Sequence, residues 1–130
     1  MEKKKYIKLE DLEVYKLAME LSNLSWDIYS NLDYQTRKIM EDQFITAIDS
    51  VGANITEGYG RFHYLDRIKF FYNARASLYE YYKYWLELLK NREKINDEQY
   101  KKLKKLSNNL LIKLNNLINS TYKTKNKNMV

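Results

Sequence analysis

Apolar residues recur at alternating steps of three and four along the first part of the chain, at Val14, Leu17, Leu21, Leu24 and Ile28. This spacing is typical of a bundle seam, and it predicts a first helix over about 11–32. A second stripe lies roughly 100° around the same helix, at Tyr15, Met19, Trp26 and Tyr29. Two interpretations stay open for this stripe: it lies at the edge of one core, or it is a second face buried against another subunit.

A second helix is expected over about 36–56, with its stripe at Met40, Phe44, Ala47, Val51, Asn54 and Gly58. The segment Gly58-Tyr59-Gly60 is expected to end this helix, because glycine readily adopts the left-handed conformation of a C-terminal cap. The third helix is the longest, over about 64–90, with its stripe at Ile68, Phe71, Arg75, Leu78, Tyr82, Trp85 and Leu89. Each of these two stripes therefore contains a polar residue, Asn54 or Arg75.

A fourth helix is expected to begin at Asn96, whose side chain can cap it, with Gln99 as the partner in a capping box. Its core face carries Leu103, Leu106, Leu110, Leu114 and Leu117. Pro is absent and Gly occurs three times, which excludes turn-rich sandwiches and barrels. Four helices with short connections predict an all-α fold, an antiparallel up-down-up-down four-helix bundle.

The length of 130 residues fits one domain. The expected organisation is an N-terminal arm over residues 1–10, the bundle over 11–122 and a disordered basic tail over 123–130. The tail lacks apolar residues to bury after Tyr122, until the last two positions.

The composition argues against several kinds of active site. No Cys is present, which excludes disulfides, thiolate metal sites and a cysteine nucleophile. The single histidine, His63, is too little for a zinc or haem centre, and no Glu-x-x-His pair suggests a di-iron site. We therefore expect no cofactor and no enzymatic activity. No apolar run approaches the ~20 residues of a membrane span, and the basic start lacks the apolar core of a signal peptide, so we expect a cytoplasmic protein without a membrane partner.

The two polar residues on core stripes need partners, because a buried charge is tolerated only when it is paired and hydrogen-bonded. Glu57 lies three residues after Asn54 and is the best-placed acid for Arg75, with Glu80 as a second candidate. The simplest interpretation is a buried polar clamp that fixes the register of the second and third helices. A catalytic carboxylate is the alternative, but it would lack a nucleophile, a second acid or a metal.

The net charge of +6 is unevenly distributed. After Glu98 the chain has no acid, and it has eight lysines, at Lys101, Lys102, Lys104, Lys105, Lys113, Lys123, Lys125 and Lys127. This asymmetry favours a polyanionic partner. Lysines suit phosphates without reading base sequence, so these residues are candidates for contacts to RNA or DNA. A solvated helix face with a solubilising tail is the alternative.

The chain has thirteen tyrosines, with a concentration at Tyr79, Tyr81, Tyr82 and Tyr84. Consecutive positions on a helix point in different directions, so these rings cannot all enter one core. The remaining rings are expected to pack against another subunit, because tyrosine is favoured at interfaces, or to stack on unpaired bases.

Three segments resemble a known family: 11–21 (DLEVYKLAMEL), 50–61 (SVGANITEGYGR) and 70–80 (FFYNARASLYE). They are similar to the four-helix-bundle proteins encoded in intervening sequences of bacterial 23S ribosomal RNA, over about residues 9–120. That family is similar in turn to the accessory variability proteins of diversity-generating retroelements, which form homopentamers, bind nucleic acid and associate with a reverse transcriptase. The resemblance implies that Asn54, Glu57, Arg61, Arg75, Ser77 and Glu80 occupy the family's characteristic positions. This adds Arg61 to the expected clamp of Asn54, Glu57, Arg75 and Glu80.

The chain also departs from the family's pattern. It has Gly52 where members often have Pro, Ile45 and Thr46 where they often have Arg, and His63 where Ser or Thr commonly caps helix three. These differences suggest that the residues that contact nucleic acid lie on helix four in this chain.

The leading hypothesis is a non-enzymatic, homo-oligomeric nucleic-acid-binding protein. The resemblance implies a pentamer, and it implies an accessory role that brings RNA to a reverse transcriptase. The alternative is a structural scaffold with a protein partner only.

Overall fold

The computed structural model describes residues 7–128, with side chains described as far as residue 124. All regular structure in this range is helical, so the all-α prediction is confirmed. A 3-10 turn at Leu9–Asp11 precedes the first helix, and a π-helical segment at Glu80–Trp85 joins α4 to α5. The helices are α1 (Glu13–Asn31), α2 (Tyr34–Met40), α3 (Gln43–Tyr59), α4 (Tyr64–Tyr79), α5 (Leu86–Asn91) and α6 (Asp97–Asn128).

Four long helices pack around one core in the spatial order α1, α3, α4, α6, and α6 closes the ring against α1. Two contacts give the relative direction of α4 and α6. The helical run from α4 through the π-helical segment to α5 is continuous and is called the third rod below. Tyr72 of this rod contacts Tyr122 of α6, whereas Glu87, later in the rod, contacts Lys104, earlier in α6. The third rod and α6 therefore run in opposite directions, with a groove between them.

The core is built from the predicted seams and from small residues beside them. Val14, Leu21 and Ile28 of α1 are buried, together with Ala18 and Ser25 on the same face. Leu17 and Leu24 are only half-buried, because the buried face of α1 is centred between them and the second stripe. Within residues 7–128, no helix combines the length and the apolar character that crossing a bilayer requires.

The second predicted helix is interrupted, which the sequence pattern did not indicate. Glu41 and Asp42 have φ angles of 49° and 61°, so the chain takes two left-handed steps between α2 and α3. The Glu41 amide donates to the Lys38 carbonyl and closes α2, and the Tyr29 hydroxyl donates to the Asp42 carboxylate. Because aspartate tolerates the left-handed region better than most residues, the break forms without a glycine.

The expected role of Gly58 and Gly60 is corrected by the backbone. The described helices contain no glycine with a positive φ, and Gly60 has φ −78°. Gly58 is instead required for space: a Cβ there would lie 2.8 Å from a ring carbon of Phe71 and 2.9 Å from the Cβ of Phe70. The glycine therefore lets α3 and α4 approach closely near the end of α3.

The third rod is helical over the predicted range but contains the π-helical turn at Glu80–Trp85. Tyr81 and Tyr82 both point into the core there and are 0% and 1% exposed, whereas Tyr79 and Tyr84 are exposed. A π turn inserts one extra residue into the helix and rotates the positions that follow it. The tyrosine cluster is thus divided between core and surface, as the argument from helix geometry predicted.

The last helix begins as predicted and continues further than predicted. The Gln99 amide donates to the Asn96 Oδ1 at 2.7 Å, and the Asn96 amide donates to the Gln99 Oε1 at 3.0 Å, which is the expected capping box. The α6 helix continues past Tyr122 to Asn128, so residues 123–128 are helical where a disordered tail was predicted. No Pro or Gly interrupts this segment, and lysines near a helix C-terminus interact favourably with the helix dipole. Met129 and Val130 lie outside the described residues, as do residues 1–6 of the expected arm.

Candidate nucleic-acid interface

Three of the candidate lysines form an exposed cluster in the first turns of α6. Lys101, Lys102 and Lys105 are exposed, and none of the ion pairs among the described residues involves them. Their ammonium groups are therefore available to a polyanion. This cluster is called the α6 lysine cluster below.

Two other candidates, Lys104 and Lys113, are already engaged in contacts with acidic residues. Lys104 lies 3.5 Å from the Glu87 carboxylate, and its Nζ donates to the Tyr100 hydroxyl at 3.0 Å. The hydrogen bond to Tyr100, more than the charge of Glu87, raises the pKa of Lys104. Lys113 pairs with Glu13 of α1 at 2.9 Å. Both positive charges are thus largely neutralised.

The remaining candidates lie far from the α6 lysine cluster. Lys123 is exposed, and the side chains of Lys125 and Lys127 lie outside the described part of the chain. Lys105 and Lys123 are about 27 Å apart along the axis, at about 1.5 Å per residue. The exposed face between them is uncharged, with Asn108, Asn109, Ile112, Asn116 and Asn119. The basic end is therefore divided into two patches rather than one continuous surface.

The structure corrects the partner expected for Arg75. Neither Glu57 nor Glu80 pairs with Arg75, and no ion pair among residues 7–128 involves it. Instead, Nη1 of Arg75 donates to the Asn115 Oδ1 of α6 at 2.9 Å. The guanidinium is half-buried, and its carbon lies 4.7 Å from the centre of the Tyr72 ring. Because Arg75 is only partly buried, a carboxylate partner is not required. Arg75 therefore connects α4 to α6 and keeps an unneutralised positive charge.

The other members of the expected clamp divide into separate local contacts. Asn54 Nδ2 donates to the Ser50 carbonyl at 2.8 Å and to the Ser50 Oγ at 3.1 Å, and that Oγ lies 3.0 Å from the Ser77 Oγ. This neutral chain of hydrogen bonds links α3 to α4, and no charge is buried in it. It links the predicted second and third helices, as the clamp was expected to do, but through Asn54, Ser50 and Ser77.

Glu57, Arg61 and Glu80 are surface residues. Glu57 pairs with Arg61 at 3.0 Å, one turn later, and both side chains are about half exposed. The Arg61 guanidinium also lies 4.8 Å from the centre of the Phe70 ring. Glu80 is exposed on the outer side of the π-helical segment. A single buried clamp of Asn54, Glu57, Arg61, Arg75 and Glu80 is therefore wrong, because these side chains make separate contacts and those of Glu57, Arg61 and Glu80 are exposed.

The groove between α4 and α6 brings together aromatic and cationic side chains that the sequence analysis treated separately. Tyr72 and Tyr122 face each other across it, with their hydroxyl oxygens 3.0 Å apart and their ring centres 6.4 Å apart. Tyr79 stacks on the buried Tyr82 at 6.4 Å between centres, with 15° between the ring planes. Sequence reasoning missed the partners Asn115 and Tyr122. The signal that could have found them is their spacing of seven, which places both on one side of α6.

The groove lacks carboxylates along most of its length. Residues 67–79 on α4 contain no acid, and α6 contains none after Glu98. At the far end the Lys83 ammonium lies 4.9 Å from the centre of the Tyr82 ring. The hydrogen bond to Tyr72 raises the pKa of the Tyr122 hydroxyl. The groove therefore presents aromatic rings, hydroxyls and an amide beside positive charge at neutral pH.

The opposite edge of the bundle is more apolar. Met19 and Trp26 of α1 are 44% and 55% exposed. Met19 lines a groove against α3, where Gly52, Ala53 and Asp49 form part of the other wall. Of the second α1 stripe, Tyr15 and Tyr29 are half-buried. One copy of the chain thus buries only part of this stripe.

The described residues offer no metal centre. No group of three or more His, Cys, Asp or Glu side chains among residues 7–128 lies close enough together to hold a metal ion. A cavity at the α1–α2 junction is lined by Tyr29, Tyr34, Arg37, Lys38, Glu41 and Asp42.

Comparison with known proteins gives one family and a structural neighbour. Residues 10–116 match the 23S rRNA-intervening sequence protein. A crystal structure of a protein of unknown function from the S23 ribosomal protein family, from Bacteroides thetaiotaomicron, is 28% identical and superposes with a TM-score of 0.74, covering 82% of this chain and 95% of that chain. No curated protein matches. The chain belongs to the 23S rRNA-intervening sequence protein family.

Proposed function

We propose that this protein is a non-enzymatic, homo-oligomeric RNA-binding protein whose first phosphate contacts are made by the α6 lysine cluster. The observation that carries the proposal is that Lys101, Lys102 and Lys105 are exposed and free of ion pairs on a helix without an acid after Glu98. Each ammonium can displace a condensed counterion from a nucleic-acid strand, a contact that needs no base sequence. The name of the matched family, which refers to 23S ribosomal RNA, supports RNA as the polymer.

The oligomer in this proposal uses the α1–α3 edge. Exposed apolar groups such as Met19, which lies next to small residues on α3, and Trp26, seven residues later on the same helix, are typical of an interface. This edge lies across the bundle from the α4–α6 groove, so subunits can associate while α6 stays accessible. The pentameric state and the accessory role beside a reverse transcriptase rest on the resemblance of the three sequence segments. A reverse-transcriptase gene with template and variable repeats next to this gene is the observation that tests that role.

Fluorescence anisotropy across a salt series tests RNA binding. The variant Lys101→Gln, Lys102→Gln and Lys105→Gln keeps good helix formers at exposed positions, so the fold should persist. The matched control is Lys8→Gln, Lys16→Gln and Lys38→Gln, which removes the same charge from exposed positions outside α6. We expect the α6 variant to bind more weakly, by a similar factor for every RNA sequence, and to lose a slope of about 0.7 per phosphate contact in the plot of log affinity against log salt.

The control variant should lose less affinity and keep the parent's slope. Equal weakening in the two variants would show that net charge alone, and not this cluster, attracts RNA. Absence of binding by the parent at low salt would favour the alternative, a structural scaffold with a protein partner, for which the exposed Met19 and Trp26 are the supporting observation.

A further inference from the structure

We propose that the groove between α4 and α6 holds a single strand of RNA, with its bases stacked on Tyr72 and Tyr79 and a phosphate on Arg75. This inference rests on the proposed function, because it specifies single-stranded RNA as the ligand and names the site that binds it. It assigns a role to residues that the α6 lysine cluster does not include.

The two tyrosines form a platform on one side of α4. Tyr72 and Tyr79 are 37% and 44% exposed, and a spacing of seven residues places them on the same side, about 10 Å apart along the axis. A contact with a neighbouring tyrosine holds each ring in place: Tyr72 hydrogen-bonds to Tyr122 through its hydroxyl, and Tyr79 stacks on Tyr82. Rings that are fixed in this way lose little entropy when a base stacks on them, and every base has a π face that can do so.

Arg75 lies between these rings and lacks an anionic partner. A guanidinium has five N–H donors, and the hydrogen bond that the structure gives to Arg75 goes to the neutral Asn115. A phosphate oxygen pair matches the geometry of the remaining donors and would neutralise the charge. A carboxylate partner on a protein would satisfy the same group, but the one exposed ring on each side of Arg75 favours a strand in which bases and phosphates alternate.

The charge of the groove favours the same ligand. Residues 67–79 of α4 and all of α6 after Glu98 lack acids, while Lys83 stands at one end. Glu80, which is exposed next to Tyr79, is the nearest acid in the sequence. The Asn115 amide and the hydroxyls of Tyr72 and Tyr122 lie along this groove, and such groups can bond a ribose 2′-hydroxyl. These contacts favour RNA over DNA.

The test separates stacking from phosphate attraction. Anisotropy is measured with the full chain and a labelled RNA strand of about 12 nucleotides, within the usual range of site sizes, and with an abasic strand that has the same ribose-phosphate backbone. We expect the parent to bind the base-bearing strand at least about tenfold more tightly, since each stacked base contributes about 1–3 kcal/mol, a factor of about 5 to 150. The variant Tyr72→Leu with Tyr79→Leu should lose most of this difference and keep the parent's salt slope.

Two control variants keep the result interpretable. Tyr72→Phe with Tyr79→Phe retains the π faces and should keep the preference for bases. Tyr34→Leu with Phe62→Leu removes two exposed rings outside the groove and should also keep it. Arg75→Gln should weaken both strands and lower the salt slope. Circular dichroism would identify an unfolded leucine pair. The single variants Tyr72→Leu and Tyr79→Leu would then replace it, and each should lose part of the preference for bases.

Three outcomes would overturn the inference. If the leucine pair leaves the ratio of base-bearing to abasic affinity unchanged, the rings do not stack on bases. If DNA of the same sequence binds as tightly as RNA, the assignment to RNA is wrong. If the parent binds neither strand at low salt, the proposed function fails as well. Binding that depends on the α6 lysine cluster but not on the two rings would contradict this inference alone.

Discussion

The hydroxyl groups of Ser25 and Tyr81 lie 2.6 Å apart in the core, where both residues are 0% exposed. Ser25 belongs to α1 and Tyr81 to the π-helical segment, so the bond connects two rods on a diagonal of the bundle. Each hydroxyl is satisfied by the other in surroundings that are otherwise apolar. The pair therefore fixes the rotation of the third rod at the π turn.

Removing one hydroxyl of this pair should destabilise the fold. Tyr81→Phe and Ser25→Ala each leave a buried polar group unpaired, and each should lower the free energy of unfolding by about 1–3 kcal/mol. The double variant should lose less than the sum, because neither hydroxyl is then left alone. Urea unfolding of the four proteins measures this. Additive losses would show that water satisfies the single variants.

Tyr81 should also limit stability at high pH. Burial raises its pKa above the ordinary value of 10, with the Ser25 hydrogen bond acting weakly in the opposite direction. A raised pKa means that the folded state disfavours the phenolate, so stability is full below pH 10 and is lost as the pH rises above the unfolded pKa. Thermal unfolding of the parent and Tyr81→Phe between pH 8 and 11 checks this. The variant should lose less stability over that range, and identical pH dependence would assign the loss to other tyrosines.

Gly58 should tolerate no side chain. A methyl group there would lie 2.8 Å from Phe71 and 2.9 Å from Phe70, so α3 and α4 would have to separate, and Gly58→Ala should lower stability by about 1–3 kcal/mol. Gly60→Ala is the matched control, because its Cβ would meet its nearest atoms at 3.6 Å and its φ is −78°. Gly60→Ala should be neutral or slightly stabilising. Denaturant midpoints of equal value in the two variants would contradict the steric argument.

Asp33 should contribute to stability at low pH through the cap of α2. Hydrogen bonds from the Thr36 amide, then from Lys94 and the Thr36 hydroxyl, lower its pKa from 3.8 to about 2. The stabilisation is present above the unfolded pKa and is lost as the pH falls from about 4 to 2. Asp33→Ala should lower the denaturant midpoint at pH 7 and have a flatter pH profile in that window. Asp49→Ala, which removes an exposed carboxylate from the middle of α3, is the matched control and should not lower the midpoint at pH 7.

Two lysines that are adjacent in sequence should differ in their effect on RNA affinity. Lys104 is held by Tyr100 and Glu87, whereas Lys105 is exposed without an ion pair. Lys105→Gln should reduce the salt slope of binding, and Lys104→Gln should leave it close to the parent value, because the Lys104 charge is already neutralised. Anisotropy of the two variants with the same RNA measures the contrast. A larger loss from Lys104→Gln would mean that its ion pair opens on binding.

Self-association should depend on the exposed apolar residues of α1. Met19→Glu with Trp26→Glu places two charges on the α1–α3 edge and should shift the protein towards the 15.8 kDa monomer in sedimentation velocity. Ile39→Glu with Ile112→Glu changes exposed apolar residues outside that edge and should keep the oligomer. A parent that sediments as a monomer at micromolar concentration would contradict the proposed oligomer.

The sequence by itself determined the helical class, the helix seams and the capping box at Asn96 and Gln99. These features follow from residues that are three or four positions apart, so local periodicity contains the necessary information. It also predicted that the tyrosines of residues 79–84 divide between core and surface, because adjacent side chains on a helix diverge. The uneven distribution of charge was readable from the positions of the lysines and acids along the chain.

Only the tertiary structure decided which groups meet. Arg75 and its partner Asn115 are 40 positions apart, and Ser25 and Tyr81 are 56 positions apart, so no local pattern connects them. The expected partner Glu57 was chosen by helix periodicity, which gives a face of one helix but not which neighbouring helix that face meets. The π turn and the left-handed step at Glu41 and Asp42 likewise depend on packing, since both change how far one helix is rotated against the others. Local rules therefore predicted the helical runs, whereas their interruptions and the groove of Tyr72, Arg75 and Tyr79 with α6 arose from the way these helices pack.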